Sequence, residues 1–160
     1  MVVIISGVSG AGKTTIGKLL AEELGWAFFD ADDFHSAANV TKMRAGTPLN
    51  DEDRRDWIDS LRGLIADLLT VDKQAFLACS ALKRSYRDQL RVSQDVKIVL
   101  LNADFSTISE RLSERKDHFM NPELLESQFE TLESADADDL VIDASLSPDA
   151  IVERIKTAIS

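Results

Sequence analysis

Residues 7–14 read GVSGAGKT, and they fit the pattern G-x-x-x-x-G-K-[ST]. The apolar run VVIIS (2–6) precedes them, and Ile16, Leu19, Leu20 and Leu24 follow at helical spacing, with Gly25 placed to end that helix. A strand, a glycine-rich loop and a helix in this order leave the chain few architectures to choose from. The glycines let the backbone curl until its N–H groups point inward at phosphate oxygens, and the helix dipole adds to the attraction. On this reading Gly7, Val8, Ser9, Gly10, Ala11, Gly12, Lys13, Thr14 and Thr15 hold a nucleotide. Lys13 reaches the outer phosphates and Thr14 ligates Mg²⁺. The plain alternative is a glycine-rich turn with an exposed lysine.

Further strands are expected at AFFD (27–30), QAFLACS (74–80), VKIVLLN (96–102) and DLVIDA (139–144). Between them lie helical patterns. In 51–69, Trp57, Ile58, Leu61, Ile65 and Leu68 share one face, and Asn121-Pro122 and Ser147-Pro148 each open a helix with a cap and a proline. Strands alternating with helices predict an α/β fold, a parallel sheet covered on both faces. The 160 residues suit one domain, 1–160, with a mobile piece around 115–121. The 28 acidic against 18 basic residues give a formal charge of −10, which argues against nucleic acid and anionic membranes as partners. The lone cysteine, Cys79, excludes an internal disulfide, and no apolar run approaches the length of a membrane span. A cytoplasmic protein is expected.

A nucleotide loop does not by itself name a reaction. The base-reading N-K-x-D of GTPases is missing, and the third strand ends in Cys79-Ser80-Ala81 rather than in a carboxylate for Mg²⁺. The second strand does end in acids, in DADDFH (30–35). If the first two strands finish side by side, Asp30 lies near the metal and holds it through water. Strand alternation then turns Asp32 to the same side, where it accepts a hydrogen bond from the hydroxyl that attacks the γ-phosphate. Asp33 points elsewhere; the alternative is that Asp32 or Asp33 merely caps a helix beginning near Phe34.

Five blocks carry a resemblance: GVSGAGKTT, FFDADDFH, NVTKMRAGTPLNDEDR, CSALKRSYRDQLR and HFMNPELLESQFETLE. Together and in this order they closely resemble gluconokinase of the small ATP-dependent type, an architecture similar to shikimate kinase and the nucleoside monophosphate kinases. The resemblance implies a P-loop kinase fold with a five-stranded parallel sheet, a substrate-binding helical segment at about 33–70 and a mobile lid. It implies phosphorylation of D-gluconate at its 6-hydroxyl by ATP with Mg²⁺, and a homodimer. Two positions depart from the family's pattern. Ser36 stands where Pro is usual and is expected only to loosen a turn, and Asp117 stands where Gly is usual, before His118.

Gluconate, a carboxylate with a ladder of hydroxyls, needs a cation and several hydrogen-bonding groups. Arg54 is the candidate clamp for the carboxylate, or else a solvated arginine paired with Asp51 or Glu52. His35 addresses a hydroxyl or the carboxylate, or is a turn histidine. Lys83 and Arg87, four apart, face the substrate or the migrating phosphoryl group, or else belong to the charged surface. Arg111 and Arg115 precede the lid; in related kinases such arginines close over ATP, which makes Arg115 a catalytic candidate and Arg111 a nucleotide-binding one. Pairing with Glu110 and Glu114 is the alternative. Gln128 reaches a sugar hydroxyl or packs at the edge of the stripe formed by Leu125 and Phe129. The catalytic candidates are thus Lys13, Asp32 and Arg115. A shikimate or nucleoside monophosphate kinase, or a nucleotide-binding module without turnover, are the rivals.

Overall fold

The computed structural model describes residues 1–114 and 122–160. Five strands, β1 (Val2–Ser6), β2 (Ala27–Asp30), β3 (Ala75–Ala78), β4 (Val96–Asn102) and β5 (Leu140–Asp143), form one parallel sheet in the order β2-β3-β1-β4-β5. Among the described residues seven α-helices connect and cover them: α1 (Lys13–Leu24), α2 (Ala37–Arg44), α3 (Asp51–Thr70), α4 (Arg84–Leu90), α5 (Phe105–Glu114), α6 (Pro122–Thr131) and α7 (Pro148–Ile159).

The sheet is apolar on both faces, as its continuous hydrophobic runs require. Alternation along β1 sends Val3 and Ile5 into one core with Ile16 and Leu20 of α1 and Ile151 and Ile155 of α7. Val2 and Ile4 enter the other, against Trp57, Ile58, Leu61 and Ile65 of α3. All five residues of the α3 stripe are buried, and Gly25 closes α1 in the left-handed conformation at φ 69°.

Two local expectations change. The expected adjacency of the first two strands does not hold, because β3 pairs with both and lies between them. Their loops nevertheless meet. Thr14 at the start of α1 reaches Asp30 at the end of β2, its hydroxyl donating to the carboxylate at 3.3 Å. Second, the chain after Asp30 coils into a 3-10 turn (Ala31–Phe34) instead of continuing as a strand. Asp30 caps this turn by accepting from the Asp32 N–H at 2.9 Å, so the capping role belongs to Asp30 and not to Asp33. Ser36, far from loosening a turn, caps α2 by accepting from the Asn39 N–H at 3.1 Å. The expectations placed on 115–121, including the lid, Asp117 and the Asn121 cap, lie outside the described residues.

Candidate active site

The order of the sheet puts its topological switch at β1, the place where α/β sheets bind ligands. The loop 7–12 leaves β1 there. Gly7, at φ 145°, leaves no room for a side chain, because a Cβ would fall 2.8 Å from the Leu101 carbonyl of β4. Gly12, at φ 103°, is the left-handed entry to α1. The loop therefore delivers the first N–H groups of α1 to its concave side. Lys13 folds back over it, its Nζ donating to the Val8 carbonyl at 2.9 Å.

A cleft of about 1140 Å³ opens above this loop. Ser9, Gly10, Gly12, Lys13, Thr14 and Thr15 form one wall, and Asp30, Asp32 and His35 another. Arg54 and Trp57 of α3, Arg44 of α2, Ser80 after β3 and Gln128 of α6 complete it. Val8 and Ala11 sit beneath the loop as buried packing.

Thr14 Oγ1 donates to Asp30 Oδ2 at 3.3 Å. With its proton directed at the carboxylate, the hydroxyl keeps its lone pairs for a cation. One hydroxyl and one carboxylate fit Mg²⁺, a hard ion held by few protein oxygens with water and phosphate supplying the rest. Among the described residues no three His, Cys, Asp or Glu side chains gather as a larger metal cage.

Asp32 presents 76% of its side chain to the open cleft. The cleft walls still strip water from its carboxylate, and the charges of Asp30 and Asp33 repel its own; together they raise its pKa above the ordinary aspartate value, with Lys13 pulling the other way. His35 is buried to 4% exposure, stacked on Trp57 with ring centroids 4.3 Å apart. Burial and the nearby Arg54 guanidinium lower its pKa to about 4, so the imidazole is neutral at pH 7. Its Nε2 lies 3.9 Å from Asp32 Oδ1.

Arg54 stands on the first turn of α3, over the ring of Tyr86 at 5.7 Å. Of the two acids in the alternative surface pairing, Asp51 is taken by others. Asp51 accepts from Lys83 at 2.7 Å and from the Tyr86 hydroxyl, which hold its carboxyl below the usual range. Asp53 accepts from Lys42 at 2.8 Å and from the Asn50 N–H at 3.1 Å. No ion pair among the described residues involves Arg54.

Other candidates are placed differently. Lys83 is the N-cap residue of α4, bound to Asp51 and off the cleft wall. Arg87 therefore does not share a helical face with it, and it is fully buried. Its guanidinium donates to the carbonyls of Ala81, Leu82, Glu133 and Ser134 at 2.6–3.2 Å, and its Nε lies 3.8 Å from the equally buried Asp139. It ties the loop after β3 to the segment after α6. Replacing Arg87 with Met strands those carbonyls and leaves Asp139 to Arg91 and the Asp136 N–H, and should cost about 3–5 kcal/mol in urea unfolding. Nucleotide affinity of the folded fraction should stay unchanged; a selective loss of ligand binding at full stability would return Arg87 to the site.

Arg111 donates to the Ala144 carbonyl beyond β5, outside the lining of the cleft. The Gln128 amide clasps the loop itself, its Oε1 accepting from the Ser9 N–H at 2.8 Å and its Nε2 donating to Ser9 Oγ at 3.2 Å. Arg115 is outside the described residues. Cys79 is buried, its thiol pushed up to about 12, as a packing residue should be. Sequence reasoning passed over Asn39, Arg44, Ser80 and the cleft face of Trp57. For Asn39 the signal was available: a lone amide four positions after His35 on a short helix without an apolar stripe.

The shikimate kinase family model matches residues 9–160. A gluconokinase from Gluconobacter oxydans (strain 621H) is 43% identical over 95% of this chain and 87% of its own. Among solved structures, an unliganded sugar kinase from Janibacter sp. HTCC2649 superposes with a TM-score of 0.92 at 41% identity, covering 98% of this chain and 92% of its own. A gluconokinase from Sinorhizobium meliloti 1021 does so at 0.84 and 36%, covering 94% and 86%. Among the described residues no helix is long and apolar enough to cross a membrane.

Proposed function

Because the chain belongs to the gluconokinase family of shikimate kinase-type P-loop kinases and phosphorylates D-gluconate with ATP, we propose that the cleft performs this transfer in line, from the γ-phosphate to the 6-hydroxyl, with Asp32 receiving the hydroxyl. The observation that supports it most is the meeting of two loops from non-adjacent strands. Thr14 and Asp30 touch at 3.3 Å, and Lys13 and Asp32 interact across the same cleft.

The roles follow from what each group can do. The loop N–H groups and Lys13 fix the triphosphate and oppose the charge that spreads over the transferring group. Thr14 and, through water, Asp30 would hold Mg²⁺, which would supply positive charge against the phosphates. Asp32, ionised, orients the attacking hydroxyl and accepts its proton. Gln128 acts on the nucleotide loop through Ser9 and not on a sugar hydroxyl. Residues 33–70, which carry His35 and Arg54, form the substrate-binding segment. The catalytic role of Arg115 and the nucleotide-binding role of Arg111 rest on the family resemblance alone, and Arg111 would have to leave the Ala144 carbonyl to take its part. A homodimer is inferred from that resemblance alone. A cytoplasmic location is inferred from the single thiol, which needs no oxidising compartment.

Arg54 is assigned to the gluconate carboxylate. Asp51 and Asp53 beside it are already paired with Lys83 and Lys42, and paired guanidinium–carboxylate bonds are among the stronger ones available. Arg54→Ala should raise the KM for gluconate about 10- to 100-fold, with the KM for ATP little changed. An unaltered gluconate KM would place the acid elsewhere.

A further inference from the structure

Asn39 is buried to 6% exposure, and its amide nitrogen faces two partners. It lies 2.7 Å from the Asp53 carbonyl oxygen and 3.3 Å from His35 Nδ1. A carbonyl only accepts, so the amide must turn its nitrogen and not its oxygen towards Asp53. That nitrogen carries a second hydrogen, which points at Nδ1. A neutral imidazole has one accepting and one donating nitrogen. With Nδ1 accepting, the proton sits on Nε2, the nitrogen 3.9 Å from Asp32 Oδ1.

We propose that Asn39 is a positioning residue that locks His35 as the Nε2–H tautomer, and that this N–H, beside the Asp32 carboxylate, selects a substrate with two neighbouring hydroxyls. The reacting hydroxyl donates to Asp32, and its vicinal neighbour accepts from His35. A donor on the reacting oxygen itself would draw off the electron density needed for attack, which assigns the donor to the neighbour. The inference rests on the reading of the cleft as the gluconate site.

The surroundings hold the ring still. Trp57 stacks on it, and Trp57 Nε1 donates to the Ala31 carbonyl at 2.7 Å, which fixes the stacking plane. The Asn39 backbone is held by the Ser36 cap. Asp53, which anchors the amide, immediately precedes Arg54, so one short relay joins the hydroxyl-reading and acid-reading ends of the site. Burial also keeps the ring singly protonated at working pH.

Nitrogen-15 NMR of the full chain at pH 7 reads the tautomer without any substrate. The sequence has two histidines, and the His35→Gln spectrum identifies the right one. The Nε2–H form is expected in the wild type. In Asn39→Asp, a carboxylate oxygen facing Nδ1 should move the proton there and raise the gluconate KM about 10-fold, leaving the ATP KM unchanged. His35→Gln, whose amide N–H mimics Nε2–H, should lose less than His35→Phe, and adding Asn39→Asp to it should cost little more. If Asn39→Asp does not fold, the wild-type spectrum and the Gln–Phe pair decide. A wild-type Nδ1–H or doubly protonated ring with gluconate turnover intact would overturn this inference alone, as would equal losses in His35→Gln and His35→Phe. Absent gluconate turnover would overturn the diol assignment together with the functional reading.

Discussion

Asp32→Asn should lower turnover by about 10² to 10⁴, the range for removing a positioned base, with both KM values within a few-fold of the wild type. The substitution keeps the size and most of the hydrogen-bonding shape of the side chain. It removes only the negative charge and the ability to take a proton. The loose transition state of phosphoryl transfer places the expectation towards the lower end, because positioning and charge neutralisation carry more of the acceleration than base strength. The pH dependence separates the two contributions. Asp32 works as the carboxylate, so the wild-type rate at saturating Mg·ATP should fall as pH falls. Its raised pKa puts that fall above the ordinary aspartate value of 3.8. His35, with its pKa near 4, adds no break at the ordinary imidazole value of 6.5. In Asp32→Asn the acid limb should disappear. Near-normal turnover in this variant, or an acid limb that survives it, would remove Asp32 from the chemistry.

Lys13→Met should cost roughly 10² to 10³ in turnover, through loss of a fixed positive charge on the migrating group. The lysine is already folded over the loop, with Nζ 2.9 Å from the Val8 carbonyl. Its cation is thus organised before substrate arrives and needs little rearrangement at the moment of transfer. Methionine preserves much of the stem packing, so unfolding midpoints should be unchanged. A variant with wild-type turnover but weaker ATP binding would mean that Lys13 holds ground and transition states equally and adds nothing to the chemical step.

Much of this molecule was legible because the signals that carry it are local. The loop 7–14, the helix α1 with its Gly25 cap and the buried stripe of α3 are each written within a few turns of chain. What failed was non-local. Nothing in the spacing of strands told that β3 would lie between β1 and β2. Asp30, Asp32 and Lys13 line one cleft, but a 3-10 turn and not strand alternation presents Asp32 there.

The charged residues show the same limit. Arg87 looked like a ligand or a surface charge because arginine seldom lies fully buried. Its real partners are four carbonyls drawn from two distant loops, and no spacing rule reports them. Lys83 was displaced from its expected helical face by one fact, that α4 starts after it. Asn39 reveals its role only through its partners, His35 and the Asp53 carbonyl, which lie on other elements; it is the one buried residue of α2.

The most direct test measures ADP formation from ATP in the presence of gluconate, shikimate or AMP in turn, with phosphorus NMR of the product. A phosphate ester on the 6-hydroxyl of gluconate is predicted, with turnover on gluconate far above that on the other two. Preferential turnover of shikimate or AMP, or esterification of gluconate at another hydroxyl, would contradict the arrangement of Arg54, His35 and Asp32 around the acceptor.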